Sequence, residues 1–480
     1  MKEITNQLKR LYERWAKEEA LNILPLANSG SYRQYFRIIG KEKIAIGVFN
    51  PDNRENRAFI SFTKHFLKKG LSVPKIYSQN LKDDIYLLED LGDITLFSLI
   101  EKEKQNDSLS NKVVDYYKDA LTHLIRFQFD GGKGLDYSVC YPRAKFDKQS
   151  ILWDLNYFKY YFLKMLKITF DEQKLEIDFN TFSDFLLSAD TKYFMYRDFQ
   201  SRNILVKNNQ LYFVDYQGGR KGALQYDVAS LLFQAKNNIP NETRAELLTF
   251  YLDQLNQRKK VNQNEFKKYY YGYMLIRLLQ TLGAYGFRGY YENKPHFLLS
   301  IPYALKNLQR LVDERHVPGK LPELKNIFVS ILENEELKKL DISPQSKKLK
   351  VTINSFSYKD GIPKDFSGNG GGFVFDCRSL ENPGRYPEYL NSTGLDENVI
   401  SFLREKNDVK EFLNSIFSII DESVKNYINR EFKDLMINFG CTGGQHRSVY
   451  CAESLARYLR ENFNVVVELN HKQLNKRAGN

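Results

Sequence analysis

The stretch YRDFQSRNILVKNNQLYFVDYQ, residues 196–217, restricts the fold more than any other part of the chain. Ile204-Leu205-Val206 and Leu211-Tyr212-Phe213-Val214 are short apolar runs joined by Lys207-Asn208-Asn209-Gln210. That joining composition belongs to a turn, so the two runs are expected to pair antiparallel. Pairing brings Asn203 and Asp215 together at the open end, and Asp198 enters the same pocket from the preceding loop. Two carboxylates and an amide on one rim supply hard oxygen ligands for Mg²⁺ and leave one carboxylate to orient a hydroxyl or take its proton. Phosphoryl transfer asks for little beyond positioning and charge neutralisation, so the set is sufficient in kind. Asp198 and Asn203 are also residue types that satisfy their own backbone in turns, and that plainer reading stays beside the first.

Residue by residue, Asp198, Asn203 and Asp215 resemble the kinase pattern D-x-x-x-x-N followed by a metal-binding Asp, in the form found in aminoglycoside phosphotransferase-like kinases. Ser29-Gly30-Ser31-Tyr32-Arg33-Gln34-Tyr35-Phe36-Arg37 resembles the nucleotide-covering hairpin of that family's N-acetylmuramate/N-acetylglucosamine anomeric kinases. Leu88-Glu89-Asp90-Leu91-Gly92 sits where their adenine-facing hinge lies, and Asp227 in YDVASLL resembles their structural Asp on the helix after the metal site. The resemblance spans roughly residues 1–335. It implies ATP and Mg²⁺ as cofactors, Asp198 as the catalytic carboxylate and Asn203 and Asp215 as metal ligands. Ser29, Gly30, Ser31, Arg33, Glu89 and Leu91 would then contact the nucleotide. The chain departs from the usual pattern twice: Tyr196 precedes Arg197-Asp198 where a His is common, and Gly47 stands where most kinases place a strand Lys. Arg33 or Arg37 is a candidate replacement cation.

A second phosphate-like motif lies near the other end. In INFGCTGGQHRSVY, residues 437–450, Asn438 and Phe439 end a strand and small residues follow. Val449, Ala452, Leu455, Ala456 and Leu459 then form one apolar stripe of a helix. A glycine-containing turn at a helix N-terminus presents N–H groups to an anion, and Arg447 adds a fork suited to phosphate oxygens. Cys441 and Arg447 also have the C-x5-R spacing of tyrosine phosphatases, although no general-acid loop stands out beside them. Cys441 is equally explained as a small residue fitting under the loop.

The flanking motifs SFSYKDGIPKD (355–365), FVFDCRSLENPGRYPEYLNSTGLD (373–396), GCTGGQHRS and HKQLNKR (471–477) resemble the C-terminal domain of the RapZ-type RNase adapter over residues 350–477. That resemblance implies a site for an amino-sugar phosphate. Its candidates are Asp376, Arg378, Thr393, Cys441, Thr442, Gly443, Gly444, His446, Arg447 and Ser448. Asp360 replaces a common His of the adapters, and no G-x-x-x-x-G-K-[ST] occurs, so the adapter's nucleotide-binding half is replaced by the kinase-like one. RNA stays an open partner. The basic residues Lys472, Lys476 and Arg477 read more simply as a solvated end.

The expected architecture is multidomain: a protein-kinase-like two-lobed α+β domain over 1–340, a charged linker at 341–350, and a small α/β domain over 351–480. The chain is 480 residues long with a formal net charge of +12, which favours anionic partners without choosing one. Its four cysteines are scattered, with neither CxxC nor zinc spacing. MKEITNQLKRLYERW reads as a charged amphipathic helix without an apolar signal core, and no run has membrane-spanning length, so a cytoplasmic protein without membrane contact is expected. The preferred function is an ATP-dependent sugar kinase acting on an amino sugar of cell-wall recycling, with a C-terminal domain sensing an amino-sugar phosphate. The alternatives are a non-catalytic nucleotide-binding regulator or RNA-binding adapter, and a C-terminal Cys-x5-Arg phosphatase. Sequence leaves the oligomeric state open.

Overall fold

The computed structural model describes residues 2–26, 33–103, 109–292, 294–338, 340, 348–365, 367, 370–430 and 432–474. Ser29, Gly30, Ser31, the 341–347 part of the expected linker, Lys476 and Arg477 lie outside the described residues. The chain separates into two compact units, Met1–Phe287 with Ser300–Lys338, and Arg288–Leu299 with Lys339–Asn480.

The first unit begins with a lobe built on strands β1 (Asn22–Pro25), β2 (Gln34–Ile39), β3 (Ile44–Phe49), β4 (Ile76–Asn80) and β5 (Ile85–Leu88), in the order β1-β2-β3-β5-β4. All neighbours run antiparallel. The helix Lys2–Ala16 presses Leu8, Leu11 and Tyr12 onto Phe36, Ile38, Ala45 and Leu87. Each such aliphatic side chain taken from water stabilises the lobe by roughly 1.5–3 kcal/mol. Gly47 faces this helix: a Cβ there would come within 2.9 Å of Ile38 Cδ1 and 3.1 Å of Leu8 Cδ2. The alternation of the strand therefore turns Gly47 away from the cleft and puts Ile46 on the cleft side. The second helix, Asn53–Lys68, is capped by Asp52, which accepts from the Arg54 and Glu55 N–H groups, and the chain leaves it through Gly70 at φ +67°.

The rest of the unit is mainly helical, interrupted by β6 (Tyr193–Met195), β7 (Ile204–Lys207), β8 (Gln210–Phe213) and β9 (Arg220–Gly222). Strand β7 pairs antiparallel with β8, from Ile204↔Phe213 to Lys207↔Gln210. Asn208 and Asn209 make the turn, both with positive φ (52° and 59°), the handedness of a two-residue hairpin turn. Strand β6 pairs antiparallel with β9.

In the second unit β10 (Lys350–Ser357), β11 (Phe373–Asp376), β12 (Asp434–Cys441) and β13 (Val466–His471) form a sheet in the order β11-β12-β10-β13, parallel throughout. Parallel neighbours require crossover connections. The helices Glu397–Glu405 and Asn407–Asn429 lie between β11 and β12, and Arg447–Asn462 between β12 and β13. Val351, Ile353, Leu435, Ile437 and Phe439 from the strands meet Val399, Leu403, Ile420, Leu455 and Leu459 from the helices in one core. Strand β12 runs two residues beyond Phe439, so Gly440 and Cys441 belong to the sheet and the loop begins at Thr442. No helix among the described residues is long and apolar enough to cross a membrane.

Candidate active site and phosphate loop

The β7–β8 register sets the spacing of the first site. Asn203 precedes β7 and Asp215 follows β8 by two residues, so closing the hairpin brings them together. Asn203 Nδ2 donates to the Asp198 carbonyl oxygen (2.9 Å) and to Asp215 Oδ2 (3.3 Å). Both N–H contacts orient the amide and leave its Oδ1 as an acceptor or ligand. Asp215 holds φ +69°, and its Oδ1 accepts from Gln217 Nε2 at 2.7 Å. The enclosing protein desolvates Asp215, and the nearby Asp198 charge adds to this, so its carboxyl titrates above the ordinary range even though the side chain opens on the cleft (41% exposed). The Asp215 carboxylate beside the Asn203 amide oxygen, with Asp198 close by, fits a hard divalent cation. Among the described residues no group of three or more His, Cys, Asp or Glu could hold a metal. Mg²⁺ takes few protein ligands and completes its shell with water and phosphate oxygens, so the donor set still fits.

The backbone around Asp198 is fixed from below. Asp227, fully buried on the helix Leu224–Leu232, accepts from the Tyr196 N–H (2.7 Å) and the Arg197 N–H (2.9 Å). Burial pushes its carboxyl up to about 7. Arg197, at φ +82°, pairs with Asp154 at 2.7 Å. Tyr196, in place of the common His, donates its hydroxyl proton to the Val214 carbonyl (2.7 Å) and so braces the residue before Asp215. Arg277 Nη2 lies 3.5 Å from Asp198 Oδ1.

A cleft of about 250 Å³ joins Asn203 and Asp215 to the upper sheet. Of the predicted residues, Arg33, Glu89, Leu91, Asn203 and Asp215 line it, with Ile46 and Leu88 adding apolar surface. Arg33 is 3% exposed; its Nη2 lies 3.0 Å from Glu55 Oε2 and its Nη1 3.6 Å from Asp215 Oδ1. Arg37 is spent elsewhere, on Asp90 (2.6 Å) and Asp93 (2.8 Å). Gly47, where most kinases place a strand Lys, packs against Leu8 and does not face the cleft. Glu55, Gln217 and Arg277 were not singled out from sequence; the spacing D-N-R-E at 52–55 marks Glu55 only as a first-turn acid.

In the second unit, the register sets Asp376 opposite Gly440 and Ser357 opposite Cys441, so β10, β11 and β12 end side by side at their carboxyl ends. Crevices outside such ends are where open α/β sheets take ligands. Cys441 Sγ is 3.1 Å from Ser448 Oγ and accepts from the Gly444 N–H at 3.1 Å. Gly444 has φ +67°, and Ser357 Oγ donates to the Thr442 carbonyl (2.7 Å). Thr442 and Gly443 are exposed at the tip of the loop. The 5%-exposed Arg447 sends Nη1 to the carbonyls of Arg378 and Leu380, both at 2.9 Å. One arm of the fork therefore ties the loop helix to the strand end, while its buried Nε finds no acceptor in the protein. Asp376 and Arg378 pair at 2.6 Å, with the Arg378 guanidinium 4.2 Å over the Tyr358 ring. His446 Nε2 lies 3.1 Å from the Tyr389 carbonyl. Thr393 donates through both its N–H and its hydroxyl to Asp396, and Gly394 N–H donates to the Gln445 carbonyl (2.8 Å). The structure thus gathers Cys441, Gly444 and Ser448 directly and joins Arg378 through Arg447, while Gly394 and His446 tie the loop to neighbouring backbone and Thr393 bonds Asp396 instead.

A sheet-bearing lobe and a helical lobe around a cleft lined by Asn203 and Asp215, with the Asp198 carbonyl bonded to Asn203, make the first unit protein-kinase-like, and a small parallel α/β unit follows it. The chain belongs to the phosphotransferase enzyme family, whose family model matches residues 22–261, and it carries a RapZ C-terminal domain at 349–475. Among curated proteins it is similar to a nucleotide-binding protein of Thermosipho melanesiensis, 35% identical over 163 residues, covering 33% of this chain and 57% of the relative. A nucleotide-binding protein of Thermotoga neapolitana is 40% identical over 133 residues, covering 28% and 45%. The chain thus spans about half the length of the curated relatives it matches. Among solved structures, a choline kinase from Cryptosporidium parvum aligns at 13% identity and TM-score 0.45, covering 66% of this chain and 98% of the other. A spectinomycin phosphotransferase in complex with ADP and spectinomycin aligns at 12% and 0.42, covering 70% and 96%.

Proposed function

We propose that the chain is an ATP-dependent kinase that phosphorylates a hydroxyl of an amino sugar and carries a C-terminal domain that binds an amino-sugar phosphate. The observation that carries this reading is Asn203, held by the Asp198 carbonyl and the Asp215 carboxylate on the floor of the cleft. Asp198 receives the hydroxyl proton as the sugar oxygen bonds to the γ-phosphorus and the bond to the β–γ bridging oxygen breaks, leaving ADP. Asn203 Oδ1 and Asp215 would hold Mg²⁺, which would supply charge neutralisation at the phosphate oxygens. Arg33, kept straight by Glu55, faces the phosphates in the role a strand Lys has elsewhere. Glu89 and Leu91 flank the base.

The amino-sugar assignment is supported by motifs at both ends of the chain, the anomeric-kinase hairpin and the adapter-type loop. In the second domain, the exposed loop at Thr442 and Gly443 receives the phosphate. Production of ADP by full-length protein from ATP with N-acetylglucosamine, N-acetylmuramate or glucosamine tests the reading. Asp198→Asn is expected to lower kcat by about 10²-fold or more, the usual worth of a positioned base. No amino-sugar-dependent ADP, or an Asp198→Asn rate equal to wild type, overturns it.

A further inference from the structure

Away from the phosphoryl cleft, the helical lobe encloses a second cavity of about 300 Å³, within the size range of small-molecule sites. Its walls come from the first turns of the helix Asn241–Arg258, the middle of Gln263–Gly286 and the end of Ile301–Asp313. Arg244 is the central feature. It is 7% exposed, its guanidinium lies 4.4 Å over the Phe233 ring, and its Nε and Nη1 are buried without an acceptor in the protein. A buried guanidinium is costly unless its N–H groups are met, so this arrangement is a charged donor set looking for an acceptor.

The surroundings do not supply one. The lining carboxylate, Glu314, is engaged by Arg310 (3.5 Å) and His316 (3.3 Å). Arg310 and Lys267 add positive charge to the same walls, so three cationic side chains face one acid. Burial and the nearby Arg310 pull Arg244 down to about 10, which leaves it charged at neutral pH. Tyr271, stacked on His316 with ring centroids 3.6 Å apart, and Tyr270 give the cavity a flat aromatic surface. The Arg244 backbone N–H is already bound to Pro240, so it is the side chain and not the helix end that points to a ligand.

We propose that this cavity binds a small phosphate monoester, with the dianion on Arg244 and Arg310 and the organic part against Tyr270 and Tyr271. Two guanidinium groups around one cavity match a dianion better than a monoanion. The helix Gln263–Gly286 connects the site to chemistry: Tyr271 and Met274 line the cavity, and Arg277, one turn on, contacts Asp198. An occupant here sits on the same rigid element as a neighbour of the catalytic carboxylate.

Two measurements on the full chain test this. Crystals soaked in tungstate are expected to show an anomalous peak in contact with Arg244. Equilibrium dialysis without divalent cations is then run with inorganic phosphate, a hexose 6-phosphate and a nucleoside monophosphate, on wild type, Arg244→Gln, Arg310→Gln and Arg447→Gln. One binding equivalent should weaken by about tenfold or more in Arg244→Gln and in Arg310→Gln, which lies nearer the surface, and persist in Arg447→Gln. The monoester held more tightly than inorganic phosphate identifies the source. Tungstate absent from Arg244, or an isotherm unchanged in both cavity variants, means that the cavity holds water alone and overturns the proposal.

Discussion

Arg33 Nη2 and Glu55 Oε2 are 3.0 Å apart, and the same guanidinium lies 3.6 Å from Asp215. The cation enters the cleft at the start of β2, and β3 contributes only apolar side chains to it. Arg33→Ala is expected to raise the KM for ATP about tenfold or more, with a smaller loss for Glu55→Gln, because losing a buried charged donor costs more than losing the group that orients it. Steady-state kinetics with varied ATP provide the check. Adding Gly47→Lys to Arg33→Ala should not rescue the enzyme, since position 47 faces Leu8.

Asp227 ties down the two amides that precede Asp198. Asp227→Ala leaves both without their acceptor and is expected to destabilise the first unit by about 1–3 kcal/mol per buried donor left open. The pH dependence has a definite sign. The folded carboxyl titrates at about 7. The unfolded one titrates near about 3.9. Between those values the folded state holds the extra proton, so the contribution of Asp227 is greatest below about pH 4 and falls as pH rises towards 7. Asp227→Asn cannot ionise. The gap in melting temperature between wild type and Asp227→Asn should therefore narrow from about pH 5 to about pH 7.5.

The C-x5-R spacing does not bring an Arg fork wholly to bear on a thiolate. Arg447 Nη1 is committed to the carbonyls of Arg378 and Leu380. Hydrolysis of an aryl phosphate by wild-type protein is expected to match that of Cys441→Ser. A wild-type rate well above the variant would favour the phosphatase reading.

Gly394 meets the chain after Cys441 backbone to backbone: a Cβ there would lie 2.3 Å from the His446 carbonyl oxygen and 2.7 Å from the Tyr450 nitrogen. Gly394→Ala is expected to destabilise the second unit by about 1–3 kcal/mol, as overpacking does, and to weaken binding of an amino-sugar phosphate. Thermal melting with and without glucosamine 6-phosphate measures both effects.

Local structure was readable from sequence where local chemistry decides it. The turn composition at 207–210 and the apolar runs around it gave the β7–β8 pairing, and the small residues after Asn438 and Phe439 marked the end of a strand that runs on to Cys441. What stayed hidden depends on partners far along the chain. Glu55 lies 160 positions before Asp215, and Arg277 reaches Asp198 across 79. The side of β3 on which Gly47 falls is set by Leu8 of another helix, and the second role of Arg447 by carbonyls near residue 380. No periodicity within one segment carries that information. Arg244 was equally silent, since its burial follows from three helices meeting.

The asparagine pair at 208 and 209 fixes more than a bend. With the left-handed turn closing Lys207 onto Gln210, the separation of Asn203 from Asp215 becomes a matter of counting residues along two rails. One residue added to the turn would invert which side of the ladder each rail presents and carry Asp215 off its partner. Substitution within the hairpin is tolerable wherever the rails stay level, but its length is not free to drift.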